Sequence, residues 1–140
     1  MIYFEVMMPA FTLKEKLKLK KWLKALAISE GFNLKELSYV FMSDDDLLKM
    51  NIEYLNHQTF TDIITFDNSE KEKDIVGDIF ISIDRVKENA VKFKVTFEQE
   101  LHRVMAHGVL HLCGYKDKKE AEVKVMREKE NYYLQTYEQF

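Results

Sequence analysis

A chain of 140 residues, 46% hydrophobic and 32% charged, is long enough for one real core and too short for two, so a single domain over residues 1–140 is expected. A formal net charge of −3 excludes a bulk electrostatic pull toward nucleic acid, and no apolar run approaches the ~20 residues of a membrane span. Cys113, the only cysteine, excludes an intrachain disulfide, and the opening Met1–Val6 reads as a strand rather than a signal peptide, so a reducing, cytoplasmic setting without a membrane partner is expected.

Ile2–Met7 is the first expected strand, followed by a turn around Pro9. Thr12 is placed to cap a helix running to about Glu30, with Gly31 just past its end. Its lysines, Lys14, Lys16, Lys18, Lys20, Lys21 and Lys24, read as a solvated face opposite Leu17, Leu19, Trp22, Leu23 and Leu26. Glu36–Met42 reads as a second strand, and Ser43 caps a helix through about Leu55. Asp44, Asp45 and Asp46 in its first turn suit the helix dipole better than a metal. Asp62–Phe66 and Ile75–Ile83 are β-rich and suited to an antiparallel pair across the polar loop Asp67–Asp74. Asp84 is placed to cap a short helix to about Lys92, and Thr96 with Gln99 makes a capping box for the helix Phe97–Cys113. Lys118 to about Tyr137 forms the last helix. The order β-α-β-α-β-β-α-α-α implies an α+β domain with a four-stranded mixed sheet packed by about five helices.

The helix Phe97–Cys113 carries the chemistry. His107 and His111 are four residues apart, about 40° around a helix, so both imidazoles can reach one cation. Gly114 suits the left-handed turn that ends the helix, and that turn can bring Asp117 back as a third ligand. Two imidazoles and one carboxylate leave a fourth position for water, the mark of a catalytic rather than a closed zinc site. The helix is strongly apolar through Leu101, Val104, Met105, Val109, Leu110 and Leu112, which puts the histidines on a largely buried element. Glu100 and Arg103 precede His107 by seven and four residues and share its face; Glu100 either orients a ligand or balances Arg103. His102 points elsewhere. Zinc peptidases of the His-Glu-x-x-His kind keep a glutamate base beside the first ligand, and Gly108 stands there instead, which disfavours peptidase chemistry. A glycine at that point can let another backbone or a substrate come close.

The run His-Gly-x-Leu-His-Leu-x-Gly-Tyr at His107–Tyr115 resembles the signature of the YbeY family of bacterial rRNA maturation factors, single-strand-specific metal-dependent endoribonucleases. Asn51 followed by Thr61-Asp62-Ile63-Ile64-Thr65-Phe66, and Gly77-Asp78-Ile79-Phe80-Ile81-Ser82, agree with two further motifs of that family. Together they span Asn51 to Asp117, about half of the chain. The resemblance implies a YbeY-like metal-dependent hydrolase fold. It also implies a zinc-dependent endoribonuclease acting on single-stranded rRNA precursor at the 3′ end of small-subunit rRNA, in ribosome biogenesis and quality control. Partners implied are the small ribosomal subunit and assembly factors, with no DNA expected.

Two departures from the family pattern stand out. The family takes its third ligand from a histidine where this chain has Asp117, a harder ligand that opens the site to Mn²⁺ or Fe²⁺ as well as Zn²⁺. The family also places an arginine shortly before Thr-Asp, where Leu55 stands; Arg85, Arg103 and Lys116 are candidate substitutes as phosphate contacts. Asp62 and Asp78 read either as substrate-side carboxylates or as backbone-bonding residues at strand edges, and His57 as a loop residue. The expected chemistry is metal-assisted hydrolysis of an RNA phosphodiester with His107, His111 and Asp117 as ligands and no side chain assignable as general base. The competing reading is a ribosome-assembly binding factor whose metal mainly pins the helix end to the turn. An Fe(II) oxygenase shares the ligand set, but its triad is normally carried on a β-barrel.

Overall fold

Alternation of side chains along four strands decides which helix covers which face of the sheet. The computed structural model describes all residues, Met1–Phe140. The strands are β1 (Ile2–Val6), β2 (Asn33–Met42), β3 (Ile63–Asp67) and β4 (Asp74–Ser82). They lie in the order β1-β2-β4-β3, with β1, β2 and β4 parallel and β3 antiparallel to β4, so the expected antiparallel pair forms within a mixed sheet. Five helices complete the fold: α1 (Lys16–Ser29), α2 (Asp44–Leu55), α3 (Ile83–Phe93), α4 (Phe97–Leu112) and α5 (Glu120–Thr136).

One face of the sheet presents Leu37, Tyr39, Phe41, Ile79 and Ile81 to the main core, where Trp22, Leu23 and Leu26 of α1 meet Val104, Met105 and Val109 of α4. The other face presents Val40, Met42 and Ile64 to Leu47 of α2 in a smaller cluster. Polar groups drawn into the main core are satisfied: Tyr39 donates its hydroxyl to the Met105 carbonyl at 2.7 Å, and the Trp22 indole donates to the Tyr133 carbonyl at 2.9 Å. Helix α4 is the hub, packing on α1, α3, α5, β3 and β4.

Most boundaries move by one or two residues, α5 for instance starting at Glu120 rather than Lys118, and three of the differences have a clear physical cause. Helix α1 starts at Lys16 rather than after Thr12, because Leu13 is buried in the core ahead of it and Glu15 turns left-handed at φ 57°. Strand β2 begins at Asn33, three residues before Glu36; its register shifts between Leu34 and Glu36, and the bulge puts two buried leucines three apart and hides the alternation. Helix α3 is capped by Ser82, whose hydroxyl accepts the Arg85 amide at 3.0 Å, while Asp84 sits in the first turn and accepts the Asp44 amide at 2.9 Å. The capping box of Thr96 and Gln99 forms as expected.

Two glycines set how closely α4 lies on the sheet. A Cβ on Gly108 would stand 2.7 Å from Ile79 Cδ1 and 3.2 Å from Ile63 Cδ1, so the close approach made there is to sheet side chains, not to another backbone or a substrate. A Cβ on Gly77 would stand 2.6 Å from the Phe66 carbonyl oxygen and 3.1 Å from Leu112 Cδ1. The Ile79 methyl can rotate aside and the Phe66 carbonyl cannot. Gly77→Ala is therefore expected to lower stability by about 1–3 kcal/mol. Gly108→Ala should cost less, since the helix gains about 1 kcal/mol in propensity. Urea midpoints at unchanged slope check this, and equal stability of wild type and Gly77→Ala would contradict the packing.

Candidate metal centre

The last turn of α4 and the loop after it build the site. The Gly114 amide donates to the His111 carbonyl at 2.9 Å and the Tyr115 amide to the Leu110 carbonyl at 3.1 Å, with Gly114 at φ 99°. This paired closure of the helix end turns the chain back across its own axis. Asp117 thereby returns to the two histidines: its Oδ2 lies 3.2 Å from His107 Nε2 and 3.4 Å from His111 Nε2. The two rings are nearly perpendicular, at 87°, with centroids 4.5 Å apart.

The outer nitrogen of each ring is engaged. His107 Nδ1 lies 2.6 Å from Glu130 Oε2, on α5, and His111 Nδ1 lies 2.9 Å from the Tyr115 carbonyl. Both partners are acceptors, so in the neutral rings each Nδ1 carries the hydrogen and donates. Both Nε2 lone pairs then face the Asp117 carboxylate, which is itself an acceptor. Three acceptors converge with no donor among them, an arrangement a cation satisfies. Ligand bonds of about 2.0–2.1 Å at tetrahedral angles place ligand atoms about 3.3 Å apart, close to the spacing of Asp117 Oδ2 from each ring. The donor set and its spacing fit a divalent metal.

The surroundings are organised around this cluster. Glu130, almost fully buried, also accepts from Arg103 Nη1 at 2.9 Å, and Arg127 lies 3.5 Å from its Oε1. Burial raises the Glu130 carboxyl, but the hydrogen bonds from His107 and Arg103 outweigh it and hold the group below its ordinary value. Burial lowers His107, and the Glu130 hydrogen bond and charge, helped by Asp117 and Asp62, outweigh it and leave the ring above its ordinary value. The Tyr115 side chain is anchored in turn: its hydroxyl donates to Glu30 Oε1 at 2.6 Å, and Tyr133 and Lys129 hold the other oxygen of Glu30. Burial, with the charge of Glu30 adding, pushes the Cys113 thiol up to about 12, in keeping with a half-buried residue packed against the core rather than a reactive one.

A groove of about 670 Å³ opens beside the cluster, lined by His107, His111 and Asp117 together with residues of the 56–62 segment and β3. Asp62 lines it; burial raises this carboxyl, His107 and its own amide pull it back, and Glu130 and Asp117 add to the rise. Leu55 and His57 line it as well. Glu100 is buried in a neighbouring crevice with Asp62, Arg103 and Glu130, and burial raises it while Arg103 opposes. Arg103 is committed to Glu130 and Asn131, and Arg85 to Asp44 at 2.8 Å. Lys116 lines a separate crevice with Gly114 and Val125, and Lys118 is the lysine on the groove. His102 packs against the Tyr137 ring at a tilt of 35°, away from the cluster.

Glu130 was missed by the sequence reading. Its signal was present: Met126, Glu130, Tyr133 and Tyr137 follow a 4-3-4 spacing, and all four are buried, so a carboxylate occupies the apolar stripe of the last helix. The Tyr115 carbonyl is a backbone group and leaves no residue-type signal.

The model of the family described as Endoribonuclease YbeY matches residues 8–138. Among curated relatives, "Endoribonuclease YbeY" of Cytophaga hutchinsonii is 52% identical over 86% of this chain and 85% of its own length. That of Flavobacterium johnsoniae is 50% identical over 86% of each chain, and that of Bacteroides thetaiotaomicron 46% over 79% of this chain and 80% of its own length. A solution structure of a Thermotoga maritima protein superposes with a TM-score of 0.68 at 29% identity, covering 98% of this chain and 89% of that one.

In the metal-free protein, NMR titration should place the His107 pKa above the ordinary 6.5. Glu130→Gln should lower it, because burial remains while the largest opposing group loses its charge and only Asp117 and Asp62 still raise the ring. A His107 pKa unmoved by Glu130→Gln would contradict the assigned coupling.

Proposed function

Because this chain belongs to the YbeY endoribonuclease family, we propose that it is a zinc-dependent endoribonuclease that hydrolyses single-stranded RNA in the groove beside the C-terminal end of α4. Ribosomal RNA precursor is the substrate proposed, at the 3′ end of the small-subunit RNA. The small ribosomal subunit and its assembly factors are the partners proposed, and the cytoplasm the location. No helix is long and apolar enough to cross a membrane.

The observation that carries this reading is the convergence of His107 Nε2, His111 Nε2 and Asp117 Oδ2, all within 4.8 Å of one another, on the wall of an open groove. These three would hold the metal. Two imidazoles and a carboxylate suit Zn²⁺, and the carboxylate also admits Mn²⁺ or Fe²⁺. When bound, a divalent cation supplies Lewis-acid polarisation of the phosphate and acidification of water. The remaining work belongs to the protein. Glu130 and the Tyr115 carbonyl fix both imidazole tautomers, so that each Nε2 lone pair points at the site. Asp62 and Asp117 make the local potential negative, which favours a cation and leaves the bound metal and Lys118 to attract phosphate.

Elemental analysis and cleavage of single-stranded RNA on the same samples test the proposal. Wild type is expected to carry about one zinc per chain and to cleave. His111→Ala and Asp117→Ala should lose both, and Glu130→Gln should bind zinc about 10–100-fold more weakly. Lys118→Ala should keep the metal and lower the slope of log affinity against log salt by about 0.7. Metal and cleavage both intact in His111→Ala would sink the assignment. A wild type that keeps metal yet cleaves nothing would point instead to a metal that only pins the helix end.

A further inference from the structure

We propose that Phe60 is a stacking platform for one unpaired nucleobase of the RNA, an inference that rests on the nuclease reading and adds a recognition subsite to it. Phe60 lies in the segment between α2 and β3, with 50% of its surface exposed, and it lines the groove that also holds His107, His111 and Asp117. A large aromatic ring left half in water beside a candidate catalytic centre offers a π-face that any base can use.

The ring is held rather than loose. The Arg85 guanidinium carbon lies over it, 5.1 Å from the centroid, within cation–π range. Arg85 is itself fixed by two contacts to Asp44, Nη2 to Oδ2 at 2.8 Å and Nε to Oδ1 at 3.4 Å, and Asp44 Oδ1 also accepts the Ser82 hydroxyl at 3.1 Å. With its charge matched by Asp44, Arg85 serves as a brace for the ring and not as a phosphate receptor. The backbone just before the ring is pinned by Asn51, buried at 3% exposure, whose side-chain amide donates to the Thr59 carbonyl at 2.7 Å while its backbone carbonyl accepts the His57 amide at 3.1 Å. A buried asparagine on α2 thus fixes the residue immediately before Phe60, which explains why a polar side chain occupies that interior position.

The occupant follows from chemistry on the groove wall. An apolar ring set among Thr59, Thr61 and Asn51 suits a flat ligand with a polar edge, and the cation site beside it suits the phosphate attached to such a ligand. A base paired within a duplex has its faces covered by neighbouring bases and cannot stack here, so the platform selects single strands. Sequence tolerance follows as well, because every base has a π-face.

Steady-state cleavage by the zinc-loaded full chain tests this, using a single-stranded RNA of fixed sequence and the same RNA with one abasic nucleotide moved along it. Phe60→Leu, which keeps an apolar side chain but removes the ring, should raise KM about 5- to 150-fold, the range of one lost base stack, with kcat and zinc content retained. Phe60→Trp should stay near wild type. In wild type one abasic position should cost a similar factor, and that position should cost nothing further in Phe60→Leu. Melting temperature and zinc content confirm that the variants are folded and loaded. A KM for Phe60→Leu within twofold of wild type, or an abasic penalty that is the same in both proteins, overturns the platform while the nuclease stands. A loaded wild type that cleaves no RNA overturns the nuclease reading and the platform with it.

Discussion

Three hydrogen-bond acceptors facing one another at the end of a buried helix is the arrangement on which the rest of this structure depends. With both rings neutral and no cation between them, two imidazole lone pairs and a carboxylate repel, and the fold must hold them together by packing. Helix α4 does so by lying on the sheet closely enough that Gly108 touches Ile79 and Ile63, with α3, α5 and α1 covering its remaining sides. The paired hydrogen bonds at Gly114 and Tyr115 then return the chain, and Asp117 arrives three residues after the turn. The cluster is a consequence of where the helix stops.

Two glutamates, Glu130 buried and Glu30 half-buried, support the two histidines by different routes. Glu130 reaches His107 directly, and its desolvation is offset by Arg103 and by the ring itself. Glu30, at the end of α1, reaches His111 through Tyr115: its carboxylate accepts the Tyr115 hydroxyl, and the carbonyl of the same residue receives the imidazole hydrogen. Burial would raise Glu30, but hydrogen bonds from Tyr115, Tyr133 and Lys129 hold it below its ordinary value. Its folded-state pKa being depressed, this contribution to stability is present above the unfolded carboxyl value near 4.5 and is lost as pH falls through the folded one. Helices α1 and α5 are thereby coupled to the site without touching the groove.

The helix spacing of His107 and His111, the stop at Gly114 and the capping box at Thr96 were all readable, because each is a local relation within a few residues. So was the β3–β4 pair. Asp84 was misread as a cap because Ser82, two residues earlier, offers the same chemistry and only the strand end decides between them. The bulge at Lys35 concealed the start of β2 by breaking its period. Glu130 was not found because its meaning depends on a contact across 23 positions in sequence, although its place in the Met126–Tyr137 stripe marked it. Lys116 was one of the expected phosphate contacts, yet Lys118 lines the groove, because that depends on the direction of a loop, which residue type does not encode.

X-ray absorption at the zinc edge of the loaded protein reads the ligand set itself. A first sphere of nitrogen and oxygen at about 2.0–2.2 Å is expected, with outer-shell scattering from two imidazoles that drops to one in His107→Ala. Sulfur at about 2.3 Å would place the metal on Cys113 instead, and an unchanged imidazole signal in His107→Ala would remove the histidine pair from the site.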